Sequence, residues 1–257
     1  MSWFEVIFLS FIEGLTEYLP ISSTGHLIIV SSLLKINDSV FVQNFNIIIQ
    51  FGAILAVLTL YPKKFLNIDK LFYRNLIVAF LPAAVIGFIA KKHLDALLSN
   101  VLIVGVTLVI GGIILIKVDK LFEQNTKKLN NLDLIQFLKI GFFQCLAFIP
   151  GVSRSAATII GSQIYGLDRS QAAEFSFFLA VPTLTAAALY KSYKIIPNIE
   201  VDQIQFLIAG IILSYFFALI FIKSFISIIK KWGLLYFGYY RILLGIIVIC
   251  LVYANKL

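Results

Sequence analysis

A chain of 257 residues that is 60% hydrophobic and only 13% charged, with a mean hydropathy of +0.98, is too apolar to fold as a soluble domain. Its net charge of +8 raises nucleic acid as a partner, but the lysines sit in short clusters between apolar runs, where membrane topology accounts for them, so no nucleic-acid binding is expected. No polar stretch is long enough for a separate soluble domain, and residues 1–257 read as a single membrane domain.

The opening residues, MSWFEVIFLSFI, carry no basic region, and Glu13 stands where a cleavage site is wanted, so no secretory signal is expected. Residues 3–33 are apolar at their edges but hold charge, proline and hydroxyls at the centre, in EGLTEYLPISSTGHL. Glu13 and Glu17 are four apart and share one face of a helix. Two carboxylates in hydrocarbon persist if they bind a cation, share a proton or border a water-filled cavity. The plain alternative is an interfacial helix with its acidic face in water. Pro20 ends that helix. The turn that follows, Ser22, Ser23, Thr24 and Gly25, offers hydroxyls and backbone N–H groups to an anion at the start of a new helix. His26, just beyond, suits a nucleophile or a general acid or base; an ordinary N-cap with an interfacial histidine is the alternative.

Three transmembrane helices are expected next, over 46–61, 75–90 and 100–117. His93, after Lys91 and Lys92 at the end of the second, belongs at an interface. Gly105, Gly111 and Gly112 in the third allow close helix contact within or between subunits, which leaves a homodimer open. Residues 135–166 form a second broken segment around PGVSRSAAT. There Arg154 sits between apolar runs, and its natural partner is a phosphate or carboxylate. Ser153, Ser155 and Thr158 add hydrogen bonds around the same anion. The alternative is a structural ion pair between Arg154 and Glu13 or Glu17. Three more helices follow, over 174–190 with Pro182 inside it, 205–222 and 234–253. Cys145 and Cys250 lie in apolar runs without metal-ligand spacing and read as packing residues.

Compared with itself, the chain pairs LPISS (19–23) with IPGVS (149–153), and QFGAILAV (50–57) with EFSFFLAV (174–181). The matches keep their order, and an odd number of helices separates the two broken segments. The expected fold is therefore an all-α integral membrane protein, a polytopic helical bundle with an inverted-topology repeat (units of about 1–117 and 118–257) and two re-entrant, broken helical hairpins. Gln50 and Glu174, at matching repeat positions, are candidates to line a cavity behind the reacting groups. Lys63, Lys64, Lys70, Arg74, Lys120, Lys127, Lys128, Arg169, Lys223, Lys230 and Lys231 then share a face, against Lys35, Lys91, Lys92, Lys191, Lys194 and Lys256 on the other. The more basic face is expected in the cytoplasm.

Brought together, the two broken segments hold an anion by Arg154, hydroxyls and helix N-termini, with two carboxylates beside it. Phosphate with Mg²⁺ or Ca²⁺ fits this set, since hard cations take oxygen ligands; one nearby histidine and no usable cysteine argue against zinc. EGLTEYLPISSTGHL with PGVSRSAATIIG, followed by EFSFFLAVP, closely resembles the undecaprenyl-diphosphate phosphatases, the bacterial bacitracin-resistance membrane proteins, over nearly the whole chain. The resemblance implies hydrolysis of a polyprenyl diphosphate, undecaprenyl diphosphate, to undecaprenyl phosphate and inorganic phosphate, recycling the lipid carrier of peptidoglycan precursors among the lipids of the bacterial inner membrane. It implies two re-entrant hairpins and a site toward the extracytoplasmic side. It also implies metal and catalytic roles for Glu13 and Glu17, nucleophilic or acid-base roles for Ser23 and His26, and a grip on the diphosphate by Arg154. Whether His26, Ser23 or water attacks is left open. The competing reading is a transporter or flippase of polyprenyl phosphate, since inverted repeats with broken helices also build carriers.

Overall fold

The computed structural model describes residues 1–67, 69–97 and 100–257, with the side chains of 91–97 and 198 outside that description; His93, expected at an interface, falls among them. The chain folds into helices. A short pair, α1 (Trp3–Thr16) and α2 (Ser23–Leu33), flanks Pro20, and α3 (Val40–Ile48) runs through Ile49 into α4 (Gln50–Leu60). After the short α5 (Pro62–Leu66) come α6 (Lys70–Leu97) and α7 (Val101–Leu121), then a second short pair, α8 (Leu134–Cys145) and α9 (Arg154–Ile164). The long helices α10 (Arg169–Ile195), α11 (Val201–Trp232) and α12 (Leu235–Tyr253) complete the chain.

Six stretches among the described residues are long and apolar enough to cross a membrane: Val40–Leu60, Lys70–Ala90, Val101–Leu121, Arg169–Ile195, Val201–Trp232 and Leu235–Tyr253. This is a multi-pass membrane protein. Five of the six spans start several residues before the expected runs or outlast them, because polar residues at their ends cap the helices. Asp69 Oδ1 accepts from the Leu71 N–H at 2.9 Å, and Asp168 Oδ1 from that of Gln171 at 2.8 Å. The burial pattern is inverted relative to a soluble protein. Ile208, Ile212, Phe216 and Ile220 form an exposed stripe along α11, whereas Glu13, Gln144, Ser176 and Arg241 are almost wholly enclosed. Cys250 also faces outward, so it is not the packing residue its apolar setting suggested.

Close helix contacts are made by glycine. Along α7 and α12, Gly105 lies opposite Gly245 and Gly112 opposite Gly238; a Cβ on Gly112 or Gly245 would lie 2.6 Å from the facing carbonyl oxygen. The small-residue patch of α7 is thus used within the chain. Gly14 sets α1 against Phe217 and Ala218 of α11, and Gly141 sets α8 against Ala79 and Pro82 of α6.

These contacts fix how the short pairs approach. Helices α10 and α11 run antiparallel, with Phe177 packed on Phe225. Helix α1 begins where Trp3 meets Phe206, near the start of α11, and α8 begins where Phe137 meets Phe175, near the start of α10. The two pairs therefore enter the bundle from opposite ends, and their turns meet inside it.

Candidate active site

Each turn ends in a serine that caps the next helix from an unusual backbone conformation. Ser22 has φ 72° and Ser153 φ 77°, a region that costs a side-chain-bearing residue about 1–3 kcal/mol. Ser22 Oγ accepts from the Gly25 N–H and Ser153 Oγ from the Ala156 N–H, both at 3.2 Å. The sequence match set Ser23 against Ser153; the backbone pairs Ser22 with Ser153. Ser155 Oγ donates to the Leu19 carbonyl at 2.7 Å and joins the two turns.

Between the turns lies a buried ion pair. Arg154 Nη2 donates to Glu17 Oε1 at 2.7 Å, while Nη1 donates to the Ser176 carbonyl, also at 2.7 Å. The guanidinium lies over the Tyr18 ring, and Thr158 Oγ1 sits 2.6 Å from Ser176 Oγ. The other oxygen of Glu17 accepts from Ser23 Oγ at 2.5 Å. Of the two carboxylates weighed as ion-pair partners for Arg154, the structure uses Glu17. Glu13 is fully buried one turn below; no donor group of another residue type reaches its carboxylate oxygens, and its carboxyl lies within hydrogen-bonding reach of that of Glu17.

Glu17, Ser22, Ser23, Thr24, Ser153 and Arg154 form the polar end of a cavity of about 390 Å³, flanked by Gln50 and Gln144. Its remaining walls are mostly apolar, including Phe80, Ala83, Phe148 and Ala187, and lead toward Tyr190 and Lys191. The other sequence candidates stand outside this lining. Gly25 packs under the first turn against Val104 and Gly151. Ser155 and Thr158 brace the turn and Ser176, as described. Glu174 lies near the start of α10, within electrostatic reach of Lys64, Lys230 and Asp168.

His26 is turned to the far side of α2. Its Nδ1 lies 2.7 Å from the Ser22 carbonyl, which can only accept, so Nδ1 carries the proton. Nε2 is then the acceptor for the Tyr240 hydroxyl at 2.8 Å, and the two rings stack in parallel. Both nitrogens are engaged.

One central residue escaped the sequence reading. Arg241, on α12, is fully buried and donates to the carbonyls of Pro20, Gly151, Val152 and Thr107 at 2.9 to 3.3 Å. It clamps both turns by their backbones. Thr107 adds a bond to the Pro150 carbonyl at 2.6 Å. The signal was present: an arginine inside an apolar span marks function as strongly as Arg154 does.

The chain matches the family described as Bacitracin resistance protein BacA over residues 6–247. A protein of Bdellovibrio bacteriovorus named undecaprenyl-diphosphatase is 50% identical, with 99% of this chain and 98% of the relative covered. Proteins of the same name from Flavobacterium psychrophilum and Aquifex aeolicus are 47% and 43% identical, covering 97% and 96% of this chain and 95% and 97% of their own length. A match of this extent, on a chain whose two broken segments meet at the polar end of one cavity, places the protein in the bacitracin resistance protein BacA family.

Proposed function

We propose that this protein is a membrane phosphatase that hydrolyses undecaprenyl diphosphate to undecaprenyl phosphate and inorganic phosphate. One observation carries the reading: Glu17 is held between Arg154 and Ser23 at the polar end of an otherwise apolar cavity. A cation to grip phosphate, a hydroxyl to attack and a carboxylate to take its proton stand together there, and the apolar walls suit a prenyl chain.

In the proposed reaction the distal phosphate enters the polar end and takes up Arg154, which Ser176 and Tyr18 already orient. Glu17, freed from its ion pair, accepts the Ser23 proton as Ser23 Oγ bonds to the distal phosphorus. The bond from that phosphorus to the bridging oxygen breaks, and prenyl phosphate leaves. Water then attacks the phosphoserine and releases inorganic phosphate. His26, with both nitrogens engaged, holds the turn through the Ser22 carbonyl. A cation fits the donor chemistry of the site, because the adjacent carboxyls of Glu13 and Glu17 supply hard oxygens suited to Mg²⁺ or Ca²⁺ in place of a shared proton. Among the described residues no cluster of three or more His, Cys, Asp or Glu offers a complete metal site. Glu13 and Glu17 would therefore hold the ion together with substrate oxygens; when bound, it neutralises diphosphate charge.

The proposal extends to architecture. The matched positive-φ caps and the reciprocal glycine pairs of α7 and α12 support an inverted repeat of units near 1–117 and 118–257, with α1–α2 and α8–α9 as re-entrant hairpins. The distribution of lysine and arginine supports a cavity mouth on the extracytoplasmic side of the bacterial inner membrane.

The test is phosphate release from undecaprenyl diphosphate by purified protein in detergent, with Mg²⁺ or Ca²⁺ and then with chelator. Arg154→Ala, Ser23→Ala and Glu17→Gln should each lose activity by about 10²-fold or more. No release by folded wild type overturns the reading. A Ser23→Ala enzyme near the wild-type rate replaces the phosphoserine route with direct attack by water.

A further inference from the structure

Gln50 opens α4 beside the polar end of the cavity and is 6% exposed. Its side chain makes no hydrogen bond among the described residues, yet its amide is not sealed in the packing as that of Gln163 is. The little of Gln50 that stays open therefore includes both amide atoms, and the space they meet is the cavity it lines. Thr24, the second residue of α2, is in the same position: its hydroxyl has no partner among the described residues and is not sealed. The neighbouring hydroxyls are engaged, Ser22 Oγ by the Gly25 N–H and Ser23 Oγ by Glu17. Thr24 and Gln50 also share a second space. A small cavity of about 20 Å³ adjoins the main one between α2 and α3, and both side chains line it as well. That volume admits about one water molecule and is too small for a phosphate. The chemistry of the pair agrees. An amide and a hydroxyl donate and accept hydrogen bonds but bring no charge to hold an ion. Apolar cavities stay dry, so the long apolar part of the main cavity is not where a reacting water is kept.

We propose that Gln50 and Thr24 hold the water that hydrolyses the phosphoserine. The inference rests on the phosphatase reading and assigns the second half of its reaction. Glu17 passes its first proton to the departing prenyl phosphate and is a carboxylate again. The held water then attacks: its oxygen bonds to phosphorus, the bond from phosphorus to Ser23 Oγ breaks, and the water proton reaches Ser23 Oγ by way of Glu17. Gln50 serves this step from both ends, since Oε1 accepts from the water while Nε2 donates to a phosphate oxygen or to the water itself. Arg154 and Ser23 act on the substrate, whereas Gln50 and Thr24 act on the water.

The experiment uses undecaprenyl diphosphate labelled at its distal phosphate and follows the formation and loss of labelled protein after acid quench. It compares wild type with Gln50→Met, which keeps volume and removes the amide, Thr24→Val, which removes the hydroxyl, and Thr24→Ser, which keeps it. Thermal unfolding in detergent checks that each folds; should Gln50→Met fail to, Thr24→Val carries the same test. Gln50→Met should slow loss of the label by about tenfold to a hundredfold, with its formation and kcat/KM within about threefold of wild type. Thr24→Val should slow loss by about threefold to tenfold, and Thr24→Ser should restore it. Loss at the wild-type rate in Gln50→Met overturns the proposal. So does slowed formation with a raised KM, which would make Gln50 a ligand of the substrate. If Ser23→Ala shows that water attacks the substrate directly, a fall in kcat with unchanged substrate binding in Gln50→Met supports the held water, and weakened binding overturns it. If wild type releases no phosphate, the phosphatase reading fails separately. A crystal structure of wild type then decides: an ordered water bridging Gln50 and Thr24 supports the site, and a dry space between them overturns it.

Discussion

Arg241 carries its charge in the middle of the molecule among carbonyl oxygens of both turns, with no carboxylate among its bonded partners. Hydrogen bonds from a charged donor are worth about 1.5–3 kcal/mol each, and here they converge on backbone that leads directly to Ser22 and Ser153. Arg241 is not itself among the residues that line the cavity but holds the backbone of one that is, Gly151, so it acts by position. Arg241→Met should lower phosphate release by about 10²-fold, the scale expected when reacting groups shift by about 1 Å. Arg241→Lys should recover part of this, because an ammonium keeps the charge but cannot fork toward both turns. Equal activity in all three proteins would make the clamp irrelevant to catalysis. Glu17, Ser23 and Arg154 were legible in the sequence because polar groups in hydrocarbon need a reason, and Arg241 was open to the same argument. The orientation of His26 was not legible, since it depends on Tyr240, which is 214 residues away.

At the scale of elements, the spans were readable from hydropathy, while the contacts between them rest on glycines that hydropathy does not weigh. Within EGLTEYL the acids draw attention, yet Gly14 is what lets α1 reach the backbone of α11. Gly52 does the same for α4: an added Cβ would overlap the Ile211 carbonyl and lie 2.9 Å from Ser214 Cβ. With backbone on the far side there is no flexible atom to yield. Gly52→Ala and Gly14→Ala should each destabilise the bundle by about 1–3 kcal/mol, read as a lower unfolding midpoint in detergent. Gly87 is the comparison. An added Cβ there meets only the far edge of the Phe148 ring, at 3.1 Å, so Gly87→Ala should cost less. A larger loss at Gly87 than at Gly52 would mean that the α4–α11 contact yields more readily than its geometry implies.

For the whole molecule, the decisive quantity is which side of the membrane the cavity meets. Asp119 at the end of α7 binds Arg169 at the start of α10 and the Leu234 N–H before α12, so these helix ends share one face. Lys120, Lys127, Lys128, Lys230 and Lys231 lie on or close to it. The cavity runs the other way, toward Tyr190 and Lys191 near the end of α10. Because the basic-rich face favours the cytoplasm, the mouth should open outward. After Cys145 and Cys250 are replaced by alanine, a single cysteine at position 191 should react with a membrane-impermeant thiol reagent in intact cells, whereas one at 128 should react only after permeabilisation. Polyprenyl diphosphate should slow labelling at 191 and leave 128 unchanged, because only the first lies along the cavity. Protection at 191 with labelling from the cytoplasmic side alone would reverse the orientation and keep the site. Labelling at 191 that ignores the lipid would separate this end of the cavity from the path of the substrate, and the chain would have to leave the site between other helices.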